Sequence, residues 1–588
     1  MNYRYPRVGL VVALLVGCAG LLQADVKMSP IFGDHMVLQQ GISLPVWGTA
    51  DAGEKITVTV GAESGTATAG ADGKWLVKLA PLPTGTTPVE MTVTGKNTLK
   101  FTDVLIGEVW ICSGQSNMEY GVKMLPDNAK VIPEANVPLL RLFAVPKKPA
   151  VMPLDAIADV PANSMIGRWQ VCAPDTVVGA GAWGGFSAVG YFFGREIQKT
   201  TNGPVGLIES SWGGTPAQAW TSLSGLEKEP SLQNYANANK SALANYAQNN
   251  TGYAEKEAAF QVERAKWMQE VNVPYQASLK AWGDAVAKAK ATGQPVPPKP
   301  QPATPAPQGP IDPTGGPNAP TTLFNGMIAP LLPYAIKGAI WYQGESNAGA
   351  ALEYRTLFAR MITDWREKWG QGDFPFLFVQ LAGYQNAGGD WPLLRESQLK
   401  TLSLPNTGMA SAVDVGDPAN IHPGDKLTVG LRLALAAKHV AYGQSVIFSG
   451  PIYDHMKVEG NAIRLSFTQV GSGLTIGAPP TYGPGVVPPP TDKLTDFVIA
   501  GEDQQWFPAD AKIDGNDVIV SSAQVATPVA VRYAWSKMPQ NNFYNKEGLP
   551  ASPFRTDDWP EPPAKPAAPA TPAPVPTVTT SPAPPATK

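Results

Sequence analysis

The sequence predicts an α/β protein: a central domain of three α/β/α layers around a mainly parallel sheet, with a smaller β-sandwich-like module at each end. Three observations predict it. From residue 105 to about 445, short apolar runs alternate with helical patterns such as Gly190–Gln198, Tyr354–Trp369 and Lys426–Val440, the rhythm of a sheet with helices on both faces. On either side, residues 25–104 and 446–560 carry period-two alternation broken by turn signals. The 588 residues are 44% hydrophobic, which supports more than one core.

In chain order, residues 1–24 read as a signal peptide: Arg4 and Arg7, the apolar run Val8–Val16, then Leu22-Gln23-Ala24 ahead of Asp25. Export follows, to a secreted or periplasmic location after cleavage near Ala24. A second reading takes Leu15-Val16-Gly17-Cys18 as a lipoprotein box with lipid on Cys18, but Ala19-Gly-Leu-Leu22 is an apolar stretch and not a polar tether. The N-terminal module shows strands in Lys55-Ile-Thr-Val-Thr-Val60 and Trp75-Leu-Val-Lys-Leu79, with a turn at Asp72-Gly73. Within the central domain, residues 227–310 interrupt the rhythm. Helical stretches at 231–248, 253–270 and 276–291 precede the Pro-rich tract 295–310, which reads as a helical hairpin returned to the core by a stiff linker, either a lid or a solvated decoration. The C-terminal module shows strands at 462–467, 518–520 and 529–535. Residues 561–588 are rich in Pro, Ala and Thr and are expected to be disordered.

A net charge of −3 and the lack of a basic cluster argue against a nucleic-acid or other polyanion partner. After signal cleavage, Cys112 and Cys172 remain, either as a pair or as two buried thiols. No Cys/His spacing indicates a metal site, and no transmembrane span is expected in the mature chain.

Three strand ends carry the chemistry. Val109–Cys112 runs into Gly114-Gln115-Ser116-Asn117; Leu207-Ile208 runs into Ser210-Ser211-Trp212-Gly213-Gly214-Thr215; Ala339–Tyr342 runs into Gln343-Gly344-Glu345-Ser346-Asn347. They bring a hydroxyl, a glycine pair and a group of amides and a carboxylate to the carboxyl edge of the sheet, where open α/β sheets bind their ligands. These are the parts of an acyl-transfer site that lacks a base. Of the four histidines, His439 lies in an apparent helix, and His35 and His455 lie outside the stretch carrying the motifs. His422 follows the apolar run 410–413 and the acidic loop Asp414–Ile421, with Pro423 holding it out of a helix and Asp425 placed to cap the next one.

The four blocks 114–117, 211–215, 341–347 and 416–423, together with Ile31–Gln39 and Asn545–Arg555, resemble the sialate O-acetylesterase family of the SGNH (GDSL-like) hydrolases across nearly the whole mature chain. The resemblance implies serine-dependent removal of acetyl groups from sugar hydroxyls, without a cofactor. It assigns Ser116 as nucleophile, His422 as general base and Asp417 or Asp414 as the acid that orients it. Oxyanion donors would be the N–H of Ser116, an N–H at Gly213 or Gly214, and a side-chain amide from Gln343 or Asn347. Many superfamily members hold the acid three residues before the histidine, and here that position is Ala419. A Ser-His dyad, or a supporting role for Glu345, is therefore the alternative. Two rival readings are a non-catalytic glycan binder, using tryptophans such as Trp212 and Trp220 to stack on sugars, and another SGNH esterase such as a lipase or thioesterase. Small polar neighbours at the motif ends favour a short acyl group. The expected substrate is an acetylated sugar or glycan, from sialic acid to plant polysaccharides such as xylan.

Overall fold

The computed structural model describes residues 25–310, 312–480 and 492–560. The expected signal peptide, with Cys18, and the tail 561–588 lie outside the described residues. At the centre is a sheet with six parallel strands: β1 (Thr98–Gly114), β2 (Val137–Ala144), β3 (Val205–Ser211), β4 (Gly338–Tyr342), β5 (Phe376–Gln380) and β6 (Thr407–Ser411), in the order β2-β3-β1-β4-β5-β6. Chain order reverses at β1, so β3 and β4 flank it and a crevice opens beyond their carboxyl ends. In β3, β4 and β5 every residue is buried, as strands covered on both faces require.

The helices are α1 (Ser116–Glu119), α2 (Ala188–Thr201), α3 (Gln233–Asn249), α4 (Tyr253–Trp267), α5 (Val273–Thr292), α6 (Ala351–Trp369), α7 (Trp391–Lys400) and α8 (Lys426–Val440); α2 and α8 cover one face of the sheet and α6 and α7 the other, while α3, α4 and α5 belong to the insertion. On one face α2 and α8 pack together. There Phe193 meets Trp110 of β1 with ring centroids 5.0 Å apart, and Gly430 allows α8 to come close to Phe192. On the other face Trp341 of β4 packs against Phe358 and Trp365 of α6 and against Trp220, at 5.9–6.2 Å between centroids. Trp220, expected as a surface platform for sugars, is thus fully buried. Its indole N–H donates to Thr215 Oγ1 at 3.0 Å, which gives the ring a polar partner within the core.

The boundary expected at 104/105 falls inside β1. Residues 98–103 alternate between exposed and half-buried, and 98–101 pair antiparallel with Met91–Thr94, whereas residues 104–114 are buried without interruption, 108–114 along β3 and 110–114 along β4. One strand serves both sheets, and the N-terminal module grows out of the central one. After α8, two four-stranded antiparallel sheets enclose a separate core that includes Ile463, Leu465, Ile499, Val518, Val531 and Phe543.

In the insertion, the break expected between residues 270 and 276 is bridged by a π-helical segment, Met268–Asn272, so that α4 continues into α5. The Pro-rich tract then runs back along this helix. Trp282 Nε1 donates to Pro297 O at 2.8 Å, Trp267 Nε1 donates to Thr304 O at 3.1 Å, and Gly309 lies against the Phe260 ring. The lengths agree: 297 to 309 as polyproline II spans about 37 Å, and 260 to 282 as α-helix about 33 Å. At its base the arm is fixed by Tyr235 Oη donating to Glu353 at 2.5 Å and Asn239 Nδ2 donating to Thr321 Oγ1 at 2.5 Å. Among the described residues no helix is long and apolar enough to cross a membrane.

Asp414, just after β6, is locked in a bidentate pair with Arg432 of α8 at 2.6 and 2.8 Å and accepts a hydrogen bond from Tyr544 Oη at 3.0 Å. Both ions are buried, so removing one charge leaves the other uncompensated. Asp414→Asn is expected to cost about 3–5 kcal/mol in equilibrium unfolding followed by tryptophan fluorescence. A loss below about 1 kcal/mol, the level of an exposed pair, would show that this contact is not needed to seat the C-terminal module.

Candidate active site

Ser116 is delivered by the tightest approach in the sheet. Gly114 has φ +134°, and a Cβ there would lie 2.2 Å from Tyr342 O, so only glycine lets β1 end against β4. Gln115 N then donates to Tyr342 O at 2.9 Å, Trp212 N donates to Gly114 O at 3.1 Å, and α1 begins at Ser116 with its hydroxyl at the crevice. From the far edge of the sheet, the loop after β6 brings His422, whose Nε2 lies 2.9 Å from Ser116 Oγ. Asp425 caps α8 by accepting from Thr428 N at 2.9 Å, and this fixes where the loop ends. The Trp183 ring meets the imidazole edge-on, with centroids 4.9 Å apart. Burial, with Lys426 as a second cause, lowers the His422 pKa from 6.5 to about 4.

Neither aspartate is joined to the imidazole. Asp417 Oδ1 accepts from the N–H groups of Ala419 and Asn420 at 2.8 and 3.1 Å, a turn closed on its own loop. Asp414 is held by Arg432 and Tyr544, away from the crevice. Asn420 Oδ1 accepts from His422 N at 2.9 Å, so the loop is shaped by an amide next to the histidine. Among the described residues His422 Nδ1 has no hydrogen-bond partner. Glu345 accepts from Asn117 Nδ2 at 2.6 Å and is likewise not bonded to His422.

The glycine pair is resolved by its hydrogen bonds. Gly213 N donates to Glu119 Oε2 at 2.6 Å, and Glu119 in turn pairs with Lys147 at 2.5 Å. Gly214, with φ +76° and open space where a Cβ would stand, has an N–H that donates to none of the described residues, and the same holds for Ser116 N–H at the start of α1. The two side-chain amides are committed elsewhere. Gln343 Nε2 donates to Thr215 O and to Asn347 Oδ1 at 3.3 and 2.7 Å, while Asn347 Oδ1 also accepts from Ala217 N and its Nδ2 donates to Gln218. Both are buried and hold the turn after Gly214, so their amides are spent within the protein and do not face the crevice.

Several site residues escaped the sequence reading. Behind Gly213 the buried carboxyl groups of Glu119 and Glu209 form a polar group with the half-buried Lys147. Glu209, next to a cavity of about 140 Å³, is pushed up to about 8 by burial and then by Glu119. Lys426 Nζ, fully buried, donates to Asn117 Oδ1 at 2.6 Å. A signal for Lys426 exists: a lysine at the first position of a helix stands at the positive end of the dipole, where cations are disfavoured. Cys112 and Cys172 are separate buried thiols, the latter pushed up to about 12 by burial. Among the described residues no group of three or more His, Cys, Asp or Glu is arranged to hold a metal.

Residues 320–440 match the family described as "Carbohydrate esterase, sialic acid-specific acetylesterase". The chain is similar to the sialate O-acetylesterases of Mus musculus (28% identity, 93% of this chain and 97% of the relative) and Homo sapiens (27%, 93% and 95%). A solved structure of a carbohydrate acetylesterase from Xanthomonas citri is 35% identical, covers 91% of this chain over 100% of its own, and superposes with a TM-score of 0.69. With the likeness extending from the N-terminal module to the end of the C-terminal one, the chain belongs to the sialate O-acetylesterase family of carbohydrate esterases.

Proposed function

We propose that this protein is an exported, serine-dependent O-acetylesterase that removes acetyl groups from sugar hydroxyls. We read its domains as an SGNH-like three-layer centre at 105–445 between sandwich-like modules at 25–104 and 446–560. The observation that carries the function is the 2.9 Å contact between Ser116 Oγ and His422 Nε2 beside two backbone N–H groups with no protein partner, those of Ser116 and Gly214. His422 takes the serine proton as Oγ attacks the acetyl carbonyl. The oxyanion of the tetrahedral intermediate is met by the two N–H groups, which need no reorganisation at that moment. Imidazolium then returns the proton to the departing sugar oxygen, and water repeats the sequence on the acetyl-serine. Because no carboxylate is bonded to His422, the site works as a Ser-His dyad with its imidazole positioned by Asn420, Trp183 and the α8 cap. Trp183 and Trp212 are partly exposed beside the pair and suit a sugar leaving group; Lys147 lies 5.1 Å over the Trp212 ring.

Acetate release from a panel of acetylated sialic acids, xylan, xyloglucan and pectin identifies the substrate. Ser116→Ala should leave the fold intact and lower turnover by roughly a millionfold, the usual loss for a nucleophile of this kind. Near-normal hydrolysis by the folded variant would remove the serine mechanism.

Asp417→Asn separates dyad from triad. The carboxylate acts only on its own turn, so turnover should fall less than about tenfold, against roughly ten-thousandfold where an acid sets the imidazole tautomer. A loss of the larger size would restore Asp417 as the third member.

A third expectation concerns pH. The imidazole accepts the serine proton only when neutral, so kcat/KM should decline as pH falls through about 4, and not through the ordinary histidine value of 6.5. An acid limb at or above 6 in the pH–rate profile would contradict the environment described for His422.

A further inference from the structure

Resting on the esterase reading, we propose that Asn117 and Lys426 are positioning residues: Asn117 ties the nucleophile turn to the histidine loop, and the Lys426 ammonium fixes that tie and sets a like charge beside the imidazole. The geometry is complete around one amide. Asn117 Oδ1 accepts from Lys426 Nζ at 2.6 Å, and Nδ2 donates to Glu345 Oε1 at 2.6 Å and to Ile421 O at 3.1 Å. The amide thus joins the residue after Ser116 to the residue before His422, and its orientation is fixed because a flipped amide would offer a donor to an ammonium and an acceptor to a carboxylate and a carbonyl.

The lysine is in a costly place. It is fully buried and opens a helix, and burial lowers its pKa to about 7. What holds it there converges from four elements: Asn117 and the Tyr120 ring of α1 (4.8 Å from Nζ), the Tyr342 ring at the end of β4 (5.4 Å), Glu345, and Asp425 before α8. Glu345 Oε2 and Asp425 Oδ2 are buried without a hydrogen-bond partner among the described residues, and burial raises the pKa of both carboxyl groups. Around His422 the facing groups are Ser116 of α1, the Trp183 ring, Lys426, and Asp417 and Asn420 on its own loop. Lys426 is the cation of that set, and below pH 7, where the acid limb falls, it is ammonium. A nearby like charge disfavours the imidazolium, so hydrolysis continues in acid that would silence an ordinary histidine.

The test is the pH profile of p-nitrophenyl acetate hydrolysis by the full chain and three variants. In Lys426→Met the acid limb should move up by about one pH unit, since the repelling charge is gone. In Lys426→Arg it should stay where the wild type has it, because the charge is kept. Asn117→Ala should lower kcat by about 10–100-fold with KM within twofold, the effect of a slightly misplaced base. An acid limb in folded Lys426→Met that coincides with the wild type, or an Asn117→Ala enzyme with wild-type kcat, overturns the inference while leaving the esterase reading intact. A wild type without esterase activity overturns both. Were Lys426→Met not to fold, the kcat of Asn117→Ala decides alone.

Discussion

The site depends on how closely β1 ends against β4. With Gly114 at φ +134° and Tyr342 O where a side chain would stand, the backbone of β1 reaches the plane of its neighbours' ends and turns straight into α1. Any side chain at Gly114 would push the two strands apart. The loss would spread to the Gln115 N–Tyr342 O and Trp212 N–Gly114 O bonds, which set the heights of the nucleophile turn and the glycine turn relative to each other. The large core serves this approach: Trp341, Trp220 and Trp365 wedge α6 against β4, and the Trp220 N–H fixes Thr215 at the edge of that core. Packing energy in the interior is thereby connected to the position of the turn that carries Gly214 N–H, the proposed oxyanion donor.

Buried charges divide into two kinds. Asp414–Arg432 is symmetrical, bidentate and distant from the crevice, and it seats α8 and Tyr544 of the C-terminal module on the sheet. Around the nucleophile the charges are uneven. Glu119 is neutralised by Lys147 on one side and spends its other oxygen on Gly213 N, and so leaves Gly214 as the free donor of the pair. Burial, and then the Glu119 carboxylate, push the Glu209 pKa up to about 8, so Glu209 favours its neutral form behind the glycine turn.

Much of this was legible in the sequence. The β4, β5 and α8 regions show the expected rhythm, α8 spans the predicted Lys426–Val440, and the three motif blocks and His422 converge on one crevice, because strand ends and caps are local signals. What failed to show were choices decided by partners distant in sequence. Asp414 and Asp417 look alike as loop acids, and only Arg432 and Tyr544, 18 and 130 residues away, distinguish a buried structural ion from a turn former. Gln343 and Asn347 read as oxyanion donors until the turn at 215–218 is seen to consume them. Trp220 reads as exposed because nothing near it in sequence says that α6 lies over it. Alternation ceases at residue 104, where β1 enters the double-sided core, and a domain junction would give the same signal in sequence.

A base without an acid partner has a physical consequence. A carboxylate on Nδ1 would stabilise the imidazolium and make His422 a stronger base, at the cost of protonating it earlier as pH falls. With Nδ1 unbonded and Lys426 close by, His422 is a weaker base that remains neutral to about pH 4. In the proposed dyad, weak basicity slows proton removal from the serine, and positioning has to recover the rate. The short Ser116–His422 contact, the Asn117 tie and the two oriented N–H groups would supply it through geometry set before substrate arrives. The proposed sugar esters suit that compromise, because an alkoxide leaving group needs its proton back, and an imidazolium of low pKa returns it readily.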